Sequence, residues 1–314
     1  MSVAERAIFV LGVTPRTGTH FLERMLRSHP DCEPLAPPGL NAEMEFEDYL
    51  LDNADLLDRY VERTRALWGP AWSGDDGLAD TLAGGLGEGL LQSLESLLPT
   101  AARGKRLLVR SPSIGHLEVL PRLFPGARAV VVVRDPRAVA DSAVRSFGRL
   151  HRSTRPPWEA WVEMWDREVR RLLSVSASIS TLIVQTVRHE DLVRRRAEMV
   201  TRLLQFLDLD PARYPADALE HQPVIGSSEM VGRSGYVHFD VTTASQDVDL
   251  ESRGTGWPEG QLRRLEHLAG DSMRAMGYEI GLEADAAAGR DLLSDAIVRA
   301  EAGVKRVVRR VARP

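Results

Sequence analysis

The sequence predicts an α/β fold: a parallel β-sheet flanked by helices, with a helical insertion after the first βα unit. Three observations carry that expectation. Four apolar runs, AIFVLGV (7–13), RLLVR (106–110), RAVVVV (128–133) and TLIVQTV (181–187), do not alternate with polar residues. Runs of this kind belong to strands buried on both faces, as in a parallel sheet. Helical patterns separate the runs, and alternating strands and helices wind into a sheet covered on both sides. One long stretch, 39–100, breaks the alternation with helical periodicity of its own.

Residues 8–26, IFVLGVTPRTGTHFLERML, read as a buried strand, a Gly/Pro/Thr loop and a helix whose Phe21, Leu22, Met25 and Leu26 share one face. In the insertion, FEDYLLDNADLLDRYVERTRALW (46–68) places Leu56, Leu57, Tyr60, Val61 and Trp68 at helical spacing. The insertion is expected to be a lid or a substrate-binding element. Residues 156–176 and 192–207 read as further helices. Trp158, Trp161 and Trp165 recur at spacings of three and four, which suits helix packing or a stripe lining a substrate site. Residues 222–256 are rich in Gly and Ser, and a loop of this length is often functional. The expected organisation is one domain over 1–283 and an Ala-rich C-terminal helix over 284–314. The basic end of that helix, KRVVRRVAR, suits a solvated helix terminus or contact with anionic lipid.

The bulk composition excludes several classes. A net charge of −5 and a pI near 6.0 speak against a general nucleic-acid binder, so any anion site must be local. The single cysteine, Cys32, leaves no intrachain disulfide and fits a reducing compartment, so a cytoplasmic protein is expected. The N-terminus, MSVAERAIFVLGV, reads as a first strand rather than a signal peptide. No apolar run approaches the roughly 18 residues of a membrane span.

Two stretches carry chemistry. Gly12 and Gly18 bracket five residues and are followed by Thr19 and His20. A triphosphate-binding loop would put lysine at the Thr19 position and use a following hydroxyl for Mg²⁺. What remains is the general anion cradle: backbone N–H groups at a helix N-terminus, the Thr17 and Thr19 hydroxyls and Arg16. A plain strand–turn–helix with a surface arginine is the other reading of this loop. The second stretch, VVVVRDPRAVADSAVRSFG (130–148), ends a strand at Val133 and sets Arg134 at its carboxyl end, where ligands of such sheets lie. Asp135 and Pro136 suit a helix start, and Ser142 follows about two turns into that helix. Arg134 and Ser142 suit a second phosphate pocket, and two such pockets at neighbouring strand ends imply a nucleotide with two separate phosphate groups; the other reading pairs Arg134 with nearby acids alone.

TPRTGTHFL resembles the 5′-phosphosulfate loop of the PAPS-dependent sulfotransferase family, and VRDPRAVADSAVRSF is similar to its 3′-phosphate element. VRHEDL (187–192) resembles the family's YEDL segment, with His189 at the tyrosine position. GRSGYVHFD and SRGTGW are weakly similar to its C-terminal basic glycine loop. The resemblance implies a P-loop-like fold and sulfuryl transfer from 3′-phosphoadenosine 5′-phosphosulfate (PAPS), leaving PAP. The acceptor would be a hydroxyl or amine of a small molecule or glycan, and no metal is implied. It places Arg16 on the bridging oxygen and 5′-phosphate, Thr17, Gly18 and Thr19 as loop donors, and Arg134, Ser142 and Arg233 on the 3′-phosphate.

His20 stands where the family carries threonine, so its ring either donates to the ligand or points away. Phe21 suits an adenine contact or a core role. RSPSIGH (110–116) resembles a segment with a basic residue beside the transferred group, which implies Arg110 on the sulfonate. His116 is a candidate base or a helix-surface histidine. The acceptor must lose a proton, so a base is expected. Glu33 and Glu43 are the carboxylate candidates, because Gly39 stands where related sequences often show an acid. A nucleotide kinase is the rival enzyme, though the loop lysine is missing. A non-catalytic PAP- or nucleotide-binding protein is the rival of another class.

Overall fold

The computed structural model describes residues 1–35, 56–63, 65–67, 77–147, 157–178, 183–221, 229–231, 238–240 and 256–279. The chain divides into two compact units, Met1–Gly256 and Trp257–Pro314. The first holds a five-stranded parallel sheet made of β1 (Ala7–Gly12), β2 (Cys32–Pro34), β3 (Arg106–Ser111), β4 (Arg128–Val133) and β5 (Ile183–Arg188). The strand order is β2-β3-β1-β4-β5, which makes β1 the central strand. From β1 the chain runs to the edge strand β2 and back to β3 on one side, then crosses to β4 and β5 on the other. The crevice beyond the carboxyl end of β1 is therefore the switch point where such sheets take their ligands.

The helices of this unit are α1 (Thr19–Arg27), α2 (Leu78–Ser96), α3 (Pro136–Phe147), α4 (Pro157–Ser178), α5 (His189–Arg194) and α6 (Arg196–Phe206). Both faces of the sheet are covered, as the unbroken apolar runs require. Ile8, Val10, Val130 and Val132 pack with Phe21, Leu22, Met25 and Leu26 of α1 and with Leu203 and Leu204 of α6. Phe9 points the opposite way, and its ring meets Phe124 at 5.1 Å between centroids. Each such buried side chain contributes about 1.5–3 kcal/mol of apolar burial.

Several boundaries differ from expectation. The sequence pattern missed β2, because a three-residue strand of Cys, Glu and Pro is too short to show a period. The helix expected over 192–207 is two helices, broken at Arg195, whose backbone leaves the helical region at φ −117°, ψ 42°. The 222–256 stretch contains two short antiparallel strands, β6 (Glu229–Val231) and β7 (His238–Asp240). In the insertion, residues 56–63 and 65–67 are helical. Val61 is buried there, but Leu56 and Tyr60 are exposed, so the apolar stripe does not face inward as a whole. Arg122 ties this helix to α2, donating to Asp58 at 2.7 Å and to Asp80 at 2.8 Å.

The second unit contributes α7 (Glu259–Ala275), with Leu265, Ala269 and Met273 buried. The helix expected over 284–314 lies outside the described residues. No described helix is long and apolar enough to cross a membrane.

One buried cation fastens the floor of the sheet. Arg106, at the start of β3, is 9% exposed and donates to the Glu5 carbonyl at 3.0 Å and the Leu207 carbonyl at 2.9 Å. Arg106→Met leaves two carbonyls short of a donor. It is expected to lower stability by about 2–3 kcal/mol, read as a reduced urea midpoint with an unchanged slope.

Candidate active site

The crevice is built from four strand ends. After β1 the loop turns through two residues in left-handed backbone, Arg16 (φ 76°) and Gly18 (φ 105°). The Thr17 hydroxyl closes the turn by donating to the Thr14 carbonyl at 2.9 Å. A Cβ on Gly12 would fall 2.5 Å from that hydroxyl, so the loop can fold back this closely only over glycine. Arg16 has no such freedom. Its positive φ costs about 1–2 kcal/mol, and strain of this kind persists where surrounding contacts hold it.

Those contacts come from β4. Arg134, 6% exposed at the strand's end, donates from Nη1 to the Arg16 carbonyl at 3.2 Å. Arg16 in turn donates from Nε to the Ser142 hydroxyl on α3 at 3.1 Å. The two expected phosphate cradles are thus hydrogen-bonded to each other. Asp135 caps α3 by accepting from the Arg137 N–H at 2.8 Å, as the Asp-Pro start implies. Two supports were not foreseen. Trp165 is fully buried and donates from Nε1 to the Arg134 carbonyl at 2.9 Å, so it is a backbone anchor rather than an acceptor contact. Glu190 accepts from the Asp135 N–H at 3.0 Å and joins the ends of β4 and β5.

At the β5 end, the buried His189 ring lies against Gly18, where an added Cβ would stand 2.2 Å from its Cδ2. Phe21 meets the same ring edge-on at 5.8 Å, carries the Arg196 guanidinium 5.4 Å above its face and sits in the core. At the β3 end, Arg110 donates from Nε to Glu23 at 2.8 Å and bonds through Nη1 to His20 Nε2 at 2.8 Å. His20 is exposed to solvent, yet Arg110, Arg16 and Arg24 surround its ring with positive charge. Burial first, then Arg110, Arg16 and Arg24, pull its pKa down to about 3, so the ring is neutral.

The arrangement suits an anion. Gly18 caps α1 without a side-chain acceptor, so the first N–H groups of the helix open toward the loop. The Thr14 hydroxyl is 1% exposed and meets no hydrogen-bond partner among the described residues. Such a group calls for a partner from outside the chain. No set of three or more His, Cys, Asp or Glu suited to a metal occurs among the described residues.

The structure gathers Arg16, Thr17, Gly18, Thr19, His20, Phe21, Arg110, Arg134, Ser142 and His189 around this crevice. It does not bring Glu33 there. Glu33 pairs in register with Leu107, near the opposite end of β3 from Arg110, and its carboxylate accepts from Lys105 at 3.2 Å. His116 is buried in the turn before the short helix 120–123, not on a helix surface. Glu43 and Arg233 lie outside the described residues.

A family model described as the sulfotransferase family matches residues 7–213, which contain every element of this crevice. The chain belongs to the sulfotransferase family. Its curated relatives include a Caenorhabditis briggsae protein assigned by name to the protein-tyrosine sulfotransferases, 23% identical over 89% of this chain and 91% of that one. A Caenorhabditis elegans protein of the same assignment is 25% identical over 53% of this chain and 62% of its own length. Among solved structures, the sulfotransferase domain from the curacin biosynthetic pathway shares the fold. Its TM-score is 0.54 at 20% identity, covering 87% of this chain and 98% of that one.

Two outcomes follow for this sulfotransferase. Gly18→Ala strains the backbone and drives a methyl group into His189, and is expected to cost more than the roughly 1–2 kcal/mol of the left-handed backbone alone. Adding His189→Ala should recover part of that loss, so a double-mutant cycle by urea denaturation should show a coupling above about 0.5 kcal/mol. The folded pKa of His20 (about 3) lies below its ordinary 6.5, so the unfolded chain takes the proton first as pH falls. Folding should therefore weaken from about pH 6.5 downward, and His20→Gln should remove that share of the loss in acid-unfolding curves.

Proposed function

We propose that this sulfotransferase takes PAPS as donor and transfers its sulfuryl group to an acceptor hydroxyl or amine by in-line displacement, without a metal, releasing PAP. The observation that carries the reading is the Arg134–Arg16–Ser142 chain of hydrogen bonds. It joins two cationic cradles at the ends of β1 and β4, and two adjoining anion sites are what a bisphosphorylated adenosine calls for. The buried Thr14 hydroxyl supports it, as a donor awaiting a ligand oxygen.

The donor supplies an activated sulfuryl group, and the protein supplies placement and charge stabilisation. Arg16, Thr17, Gly18 and Thr19 hold the 5′-phosphate, and Arg16 neutralises charge that develops on it as a leaving group. Arg134 and Ser142 hold the 3′-phosphate, with Arg233 a further candidate. An arginine fork matches a phosphate through paired hydrogen bonds. Arg110 faces the transferred group. The buried His116 and the undescribed Glu43 are the candidates for the acceptor's base. The acceptor is a small molecule or glycan, and the names of the curated relatives add a tyrosine phenol to the hydroxyls to assay. A cytoplasmic site of action is part of the proposal, supported by one buried, free cysteine.

Calorimetric titration with PAP, ATP–Mg²⁺ and adenosine 5′-phosphosulfate tests the donor. PAP is expected to bind most tightly. Arg134→Ala should weaken it about 30-fold, on the scale of a lost charge-assisted hydrogen bond. Tighter binding of ATP–Mg²⁺ than of PAP would replace this reading with a kinase.

A further inference from the structure

The position after the phosphate loop's last threonine holds a histidine, and the structure shows what its ring does. His20 and Glu23 are three residues apart on α1, so they share a face. That face meets the carboxyl end of β3, and both side chains end on one guanidinium. Arg110 gives its Nε–H to Glu23 at 2.8 Å and contacts His20 Nε2 through Nη1 at 2.8 Å. The Arg110–Glu23 pair is largely buried, with 12% and 17% of the two side chains exposed. A guanidinium only donates, so Nε2 must be the acceptor and the ring proton sits on Nδ1.

We propose that His20 is a positioning residue: together with Glu23 it grips Arg110 from α1 and aims it at the sulfuryl group being transferred. The proposal rests on the reading of PAPS as donor. An arginine at the end of a strand has several rotamers, and fixing two of its nitrogens removes most of that freedom before the ligand arrives. The same grip links the loop's own helix to β3, so ordering of the loop and orientation of Arg110 are one event.

The charged groups around the ring protect the grip. Arg110 faces it from β3, Arg16 from the loop, and Arg24 from α1 itself, each disfavouring a proton on the imidazole. Glu23 is occupied by Arg110. A protonated ring would lose its acceptor and become one more cation in the cluster, so the clamp holds only while the ring is neutral. With the pKa drawn down to about 3, that covers the physiological range.

Two measurements test the proposal on the full chain. Long-range ¹H–¹⁵N NMR of the imidazoles should show His20 with Nε2 as acceptor and Nδ1 protonated, without titration between pH 8 and 5. In Arg110→Met its titration should move up, though burial, Arg16 and Arg24 still hold it below 6.5. A native ring carrying its proton on Nε2, or titrating near 6.5, overturns the clamp. Calorimetry with PAPS and with PAP, without acceptor, reads the aim of Arg110. His20→Leu should weaken PAPS about tenfold, the scale of one hydrogen bond to a charged group, and leave PAP within about twofold.

His20→Gln, whose amide oxygen can take the place of Nε2, should restore most of the PAPS affinity. Equal weakening of PAP and PAPS by His20→Leu, or no effect on either, overturns the positioning role. Arg110→Met leaving the PAPS-to-PAP ratio unchanged overturns the aim at the sulfuryl group. If the unaltered protein binds neither nucleotide, the donor reading itself fails, whatever the NMR shows.

Discussion

The hydrogen bond from Arg134 to the backbone carbonyl of Arg16 is the constraint on which the site depends. It joins the end of one strand to a loop leaving its neighbour. It exists because β1 and β4 pair in parallel, with Gly12 opposite Val132, so both chains exit the sheet at the same level. The loop needs that support: Arg16 holds a backbone conformation that a side chain disfavours, and two glycines bracket it. Around this bond the other supports fall in order. Trp165 fixes the backbone of Arg134, Glu190 fixes Asp135, and His189 seats Gly18. Arg134 and Arg16 lie 118 positions apart in the chain, and Arg16 and Ser142 lie 126 apart.

This explains what the sequence made legible. The sheet was readable because both faces of its strands are buried, and burial on both faces leaves an unbroken apolar run. The two cradles were readable because each is local: a loop opening a helix, and an Arg-Asp-Pro step opening another. Their contact was not readable, since it depends on strand order. Trp165 illustrates the limit. Its spacing with Trp161 said helix face, but only the packing of α4 against the β4 end shows that its N–H serves a carbonyl. The HEDL segment points to His189 by family resemblance, and nothing in it singles out Glu190.

Where the reading missed, the physical reason is specific. Glu33 was attractive as a carboxylate shortly after the first helix. Three residues of edge strand carry it to the far end of β3, where Lys105 takes it. His116, which the sequence allows on a helix surface, is buried in the turn before the 120–123 helix. Conversely, His20 and Glu23 carried a signal in plain view, the i,i+3 spacing, which acquires meaning only once β3 supplies an arginine opposite them.

Cys32 sits in the edge strand β2 with its thiol buried, and burial pushes its pKa up to about 12. A thiol so rarely ionised is a poor nucleophile. Maleimide reagents should pass it by, so a cysteine placed at an open position such as Leu97, 80% exposed after α2, would be the one reactive handle on the whole chain. Fluorophores or spin labels could then report on the floor of the sheet, where Glu95 of α2 pairs with Arg6 just before β1, without first removing the native sulfur.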